Sequence, residues 1–211
     1  MSDKTTISNI ILNQKILPLY SHSEIEVMKK VITACYHAGI KCFEFTNRTE
    51  NAVTIFNEMK DFCKTEMPGL LLGVGTILNV KDAEAFFNAD FLVSPIISAE
   101  LIHYTSSKNI LWIPGCSTTS EIALAKNAGI SLVKIFPAHL LGGTAFLKTM
   151  KDIFPSMKIL ATGGIKANSG EINNWLSNGA DAVGLGSQLF GNGIKNTQQI
   201  SETLNQLLKE I

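Results

Sequence analysis

Ile16-Leu17-Pro18-Leu19-Tyr20-Ser21-His22-Ser23 sets an apolar run of strand length directly against a polar turn. The run is nearly continuous rather than alternating, as in a parallel strand covered on both faces. An open doubly wound sheet usually follows its first strand with a glycine-rich dinucleotide loop, and here the turn holds no glycine. This first run covers residues 15–20, and comparable ones recur at 42–46, 71–76, 91–95, 111–115, 132–137, 158–164 and 182–187. Their starts lie about 20 to 30 residues apart, room for one helix and two turns. Helical spacing fills the intervals: Val53, Phe56 and Met59 after Thr49-Glu50-Asn51, and Ile200, Leu204, Leu207, Leu208 and Ile211 near the C-terminus. Ser120-Glu121 opens another helical segment that Gly129 would stop. Ile7, Ile10 and Ile11 predict a short helix before the first strand. Eight strand–helix units predict an α/β protein: a single (β/α)8 TIM barrel with a short N-terminal helix, one domain over residues 1–211.

Composition narrows the function classes. Lys and Arg total 18, as do Asp and Glu, so no charge excess favours nucleic acid or an anionic membrane. No apolar run approaches the roughly 20 residues needed to span a bilayer. The N-terminus lacks a basic segment followed by an apolar stretch and a cleavage site. Cys35, Cys42, Cys63 and Cys116 form no C-x-x-C pair and no zinc-like spacing, so they read as small core residues. His22, His37, His103 and His139 are scattered, without metal-ligand spacing. The expectation is a reduced, cytoplasmic, soluble protein without a metal site.

The chemistry gathers at the ends of the runs, which in a barrel form one face. Leu132-Val133-Lys134-Ile135-Phe136-Pro137 buries a lysine in an apolar strand. A charge there costs several kcal/mol unless it is paired or neutralised. Desolvation favours the neutral amine, and a neutral amine attacks ketones. A snorkelling or merely paired lysine is the plainer alternative. Within Phe43-Glu44-Phe45-Thr46, alternation aims the Glu44 carboxylate away from both phenylalanines, into the barrel if they face the helices. Glu44 then serves either as the structural partner of Lys134 or as the acid/base that an imine-forming enzyme requires. Arg48 follows just past the end of the Glu44 strand, and Thr76 and Pro95 close two others. Ala161-Thr162-Gly163-Gly164 and Gly184-Leu185-Gly186-Ser187 close the seventh and eighth runs, where barrels commonly hold phosphate. Glycines there let backbone N–H groups approach an anion, and the hydroxyls add donors. Ser117-Thr118-Thr119-Ser120 reads as a turn and helix cap, and Lys166 and Lys195 as solvated charges. Leu140-Leu141-Gly142-Gly143 is either a lid or a static loop.

The ordered set Glu44-Phe45-Thr46-Asn47-Arg48-Thr49, Gly73-Val74-Gly75-Thr76, Ser94-Pro95, Ile113-Pro114-Gly115, Lys134-Ile135-Phe136-Pro137-Ala138, Thr162-Gly163-Gly164-Ile165 and Gly186-Ser187 resembles the bacterial 2-keto-3-deoxy-6-phosphogluconate (KDPG) aldolases, many of which also act on 4-hydroxy-2-oxoglutarate. The resemblance implies a metal-independent, cofactor-free class I aldolase on a (β/α)8 barrel, usually a homotrimer. It implies that Lys134 forms the Schiff base with the C2 carbonyl and that Glu44 moves protons, through a water. Arg48 and Thr76 would hold the pyruvate carboxylate, with Pro95 lining that pocket. Thr162, Gly163, Gly164, Gly186 and Ser187 would hold the 6-phosphate.

The chain also departs from the family pattern. Ala161 stands where proline is common, Ile96 where glycine is frequent after Ser-Pro, His139 where many members are acidic, and Asn47 where leucine is commoner. His139 either touches the substrate or is an ordinary loop residue. The C4 epimer, 2-keto-3-deoxy-6-phosphogalactonate, is a competing substrate, because one hydroxyl contact separates the two. A phosphosugar isomerase or epimerase would explain the glycine-rich strand ends but needs no lysine inside the sixth strand. A non-catalytic phosphate-binding barrel would be expected to lose Lys134 or Glu44, and the chain has both.

Overall fold

A computed structural model of the chain describes residues 3–191 and 197–211. Lys195 lies outside the described residues. Strand and helix alternate along the chain. After α1 (Lys4–Gln14) come β1 (Ile16–Tyr20), α2 (Ile25–His37), β2 (Cys42–Thr46), α3 (Ala52–Glu66), β3 (Leu71–Gly75) and α4 (Val80–Ala85). Then follow β4 (Leu92–Val93), α5 (Ala99–Ser107), β5 (Trp112–Ile113), β6 (Gly115–Cys116), α6 (Thr119–Asn127), β7 (Leu132–Ile135) and α7 (Gly143–Ile153). The last elements are β8 (Lys158–Thr162), α8 (Ser169–Ser177), β9 (Ala182–Leu185), α9 (Ser187–Phe190) and α10 (Thr197–Glu210). All recorded strand pairings are parallel, in the order β5-β4-β3-β2-β1-β9-β8-β7-β6.

The expected eight strands are present as nine segments, because the fifth run is divided. Proline has no N–H to give a ladder, so Pro114 interrupts the run between β5 and β6. The two halves face opposite neighbours: Ser94 N–H donates to Ile113 O (3.0 Å), and Lys134 N–H donates to Pro114 O (2.8 Å). One stave thereby carries both ends of the sheet order, and the barrel comes almost to closure through it.

Strand alternation sorts the side chains into two cores. Ile16, Phe43, Phe45, Val74, Val133, Ile135, Ile159 and Val183 pack outward against the helices. Leu17, Cys42, Phe91, Val93, Ile113, Leu132, Leu160 and Ala182 form the inner cluster together with Ile7 and Ile11 of α1, which plug the N-terminal end. Asp3 caps α1 by accepting from the N–H groups of Thr5 (2.8 Å) and Thr6 (3.0 Å). Stepping two residues along the staves from the inner cluster reaches Leu19, Glu44, Lys134, Thr162 and Gly184. Two more reach Ser21, Thr46, Phe136, Gly164 and Gly186. The polar residues of the site are thus the upper layers of the barrel interior.

Two matching clamps tie the opposite rim. Asp90 accepts from the Leu72 N–H (2.7 Å) and from Lys60. Asp181 accepts from the Ile159 N–H (2.9 Å), Lys151 Nζ (2.6 Å) and Lys158 Nζ (3.0 Å). In each, an aspartate just before one strand holds the start of the neighbouring strand and a lysine from a preceding helix.

Candidate active site

Lys134 stands on β7 with 4% of its surface exposed, and Glu44 on β2 with 1%. Their side chains meet inside the barrel: Lys134 Nζ lies 3.7 Å from Glu44 Oε1. That is ion-pair range but longer than a normal hydrogen bond. The ammonium position also lies 5.1 Å from the Phe136 ring centroid. Glu44 Oε2 is buried and accepts no hydrogen bond from the described residues. A buried acceptor without a protein donor is costly in an ordinary core, which marks Glu44 as a candidate functional residue. Gly75 makes the carboxylate's position possible, since a Cβ there would come within 1.8 Å of Glu44 Oε1.

Arg48 follows β2 in an exposed position, and its Nε donates to Thr76 Oγ1 (3.2 Å). Thr76 holds a positive φ of 63°, a genuine outlier for a β-branched residue. Such strain costs on the order of 1–3 kcal/mol and persists where the surroundings enforce it, commonly at functional sites. Pro95 ends its stave against Gly115, whose absent Cβ leaves room for the Pro95 backbone.

A cavity of about 390 Å³ opens above this layer, lined by Arg48, Phe136, Thr162, Gly163, Gly164, Gly186 and Ser187 together with Leu19, Ser21 and Thr46. The structure therefore gathers Arg48 and both glycine-rich strand ends around one space. Lys134, Glu44, Thr76 and Pro95 do not line that space; Phe136, which does, connects it to Lys134. Thr162 Oγ1 is buried without a partner among the described residues. Gly163 and Gly164 adopt φ of 104° and 76°, a backbone that favours glycine.

Two hydroxyls and a ring were not singled out from the sequence. Ser21 Oγ and Thr46 Oγ1 are 2.7 Å apart in the cavity wall, and Phe136 packs beside Lys134. The signal was available, since Thr46 and Phe136 each lie two residues beyond a chemically informative strand residue. Other expectations resolve simply. Thr118 caps α6 in a capping box with Glu121, and Lys166 is exposed. All four cysteines are free and buried. Burial pushes the Cys42, Cys63 and Cys116 thiols up to about 12 and Cys35 higher, so they are core residues rather than nucleophiles. No group of three or more His, Cys, Asp or Glu among the described residues could hold a metal ion.

The model of the KDPG and KHG aldolases matches residues 7–204. The chain belongs to this family. Among relatives of the family, the 2-dehydro-3-deoxy-phosphogluconate aldolase of Treponema pallidum is 31% identical over 166 residues, covering 78% of this chain and 77% of the relative. The KDPG aldolase of Zymomonas mobilis ZM4, solved with 3-phosphoglycerate, superposes with a TM-score of 0.87 at 25% identity, covering 97% of this chain and 96% of that one. The KDPG aldolase of Legionella pneumophila superposes with a TM-score of 0.85 at 26% identity, covering 94% and 96%. That structure holds pyruvate captured at low pH as a covalent carbinolamine. Family membership sets aside the isomerase and binding-protein alternatives, and the relatives' gluconate names do not favour the galactonate epimer.

Proposed function

We propose that this protein cleaves 2-dehydro-3-deoxy-6-phosphogluconate to pyruvate and glyceraldehyde 3-phosphate through an imine on Lys134, with cleavage of 4-hydroxy-2-oxoglutarate to pyruvate and glyoxylate as a second reaction. The observation that carries this reading is the Lys134–Glu44 pair, 3.7 Å apart and almost wholly buried beside the cavity. Such a lysine suits nucleophilic catalysis better than a surface role.

The neutral amine of Lys134 attacks C2 of the keto acid to give a carbinolamine, and loss of water gives the protonated imine. Glu44, directly or through a water, accepts the proton of the C4 hydroxyl as the C3–C4 bond breaks. The electron pair of that bond moves toward the iminium nitrogen, leaving an enamine of pyruvate while the aldehyde departs. Protonation at C3 and hydrolysis release pyruvate and return the amine. Arg48 and Thr76 hold the substrate carboxylate, with Pro95 beside them. Thr162, Gly163, Gly164, Gly186 and Ser187 hold the phosphate.

The chain works as one catalytic domain over residues 1–211, in the cytoplasm, as a homotrimer, and serves the Entner–Doudoroff route of sugar-acid breakdown. The single sheet and the packing of α1 against the inner barrel support the first of these. Four free thiols suit a reducing compartment. Steady-state kinetics with both phosphorylated epimers and with 4-hydroxy-2-oxoglutarate test the substrate. The expected order of kcat/KM places the gluconate epimer first, and a tenfold preference for the galactonate epimer would overturn the assignment.

A further inference from the structure

The loop after β7 and the loop after β8 interlock through His139. Its ring rests on Gly164, where a Cβ would come within 2.3 Å of the imidazole. His139 Nδ1 lies 3.0 Å from Gly163 O, and the His139 backbone N–H donates to the same oxygen (3.3 Å). A carbonyl oxygen can only accept, so Nδ1 carries the proton of that contact. Gly163 itself is hemmed in by Pro137, 3.1 Å from where a Cβ would stand.

The consequence concerns the next N–H. In a trans peptide the carbonyl and the following N–H point in opposite directions. Two donors hold the Gly163 carbonyl toward His139, and the Gly164 N–H is therefore turned away from His139. Gly163 and Gly164 both line the cavity, and among the described residues the Gly164 N–H has no acceptor. Both glycines hold a positive φ, 104° and 76°, which the backbone of glycine permits, and the two bonds to the Gly163 carbonyl are contacts that fix which way this peptide faces.

We propose that His139 is a positioning residue that locks the Gly163–Gly164 peptide with its N–H available to a phosphoryl oxygen. This makes the enzyme's preference for phosphorylated over phosphate-free substrates depend on an imidazole that does not itself react. The inference rests on the reading of this loop as the phosphate site. In sequence terms, His139 supplies a side-chain donor where an acidic residue could not do so in its ionised form.

The test compares kcat/KM for 2-dehydro-3-deoxy-6-phosphogluconate and 4-hydroxy-2-oxoglutarate in the wild type, His139→Ala and His139→Asn, with inorganic phosphate as a competitor. The asparagine amide can place its N–H where Nδ1 stands. The ratio of the two kcat/KM values should fall about five- to tenfold in His139→Ala, the scale of one lost hydrogen bond, and return to within about twofold in His139→Asn. An unchanged ratio, a loss shared equally by both substrates, or an asparagine variant as impaired as the alanine one would overturn the proposal. Failure of inorganic phosphate to compete in the wild type would instead remove the phosphate-site reading, and this inference with it.

Discussion

Lys134 and Glu44 depend on each other, because a buried charge is costly alone. A buried carboxylate or ammonium without its partner costs several kcal/mol, and here each is 95% or more shielded. Lys134→Met should abolish cleavage and leave a folded protein destabilised by on the order of 3 kcal/mol, because Glu44 keeps its burial and loses its cation. Glu44→Gln should lower kcat about 100- to 10,000-fold while still forming the imine, the usual scale for a positioned acid/base. Kinetics, circular dichroism and denaturant titration of the two variants check this. A normal kcat in Glu44→Gln would move the proton-transfer role to another group. Both residues were legible in the sequence, because a charge inside an apolar strand has few plain explanations. Ser21 was not, because its approach to Thr46 depends on the pairing of β1 with β2, which no local pattern announces.

Among the elements, the divided fifth strand is the informative one. The apolar run at 111–115 looks continuous, yet Pro114 divides it, and the division lets one stave pair with β4 on one side and β7 on the other. The opposite rim depends on charge instead. Burial alone would raise the Asp181 carboxyl, but hydrogen bonds from Lys151, the Ile159 N–H and Lys158 outweigh it and hold the group below the usual carboxylate range. The folded state thus favours the ionised form. Its contribution is complete above the unfolded value of about 3.9 and is lost as pH falls through the lower folded value. Asp181→Asn should therefore cost on the order of 2 kcal/mol at pH 7. Its stability should also decline less steeply on acidification than that of the wild type. Denaturant midpoints measured between neutral and strongly acid pH decide the matter; parallel acid limbs would contradict it.

For the whole molecule, the barrel converts eight short sequence signals into one chamber. Residues as far apart as Glu44 and Lys134 meet because alternation turns the third residue of β2 and of β7 inward, above a plug of apolar side chains and α1. The barrel was readable from eight regularly spaced strand–helix units and from a first turn without glycine. The division of labour inside the chamber was not, since it depends on which glycines leave room and which loops touch. Whether Lys134 is the nucleophile is decided by borohydride reduction in the presence of pyruvate, followed by intact mass and peptide mapping. A single reduced pyruvyl adduct on Lys134, absent from Lys134→Met, is the predicted result. A folded protein that gains no adduct, or gains it on another lysine, would remove Lys134 as the imine-forming residue.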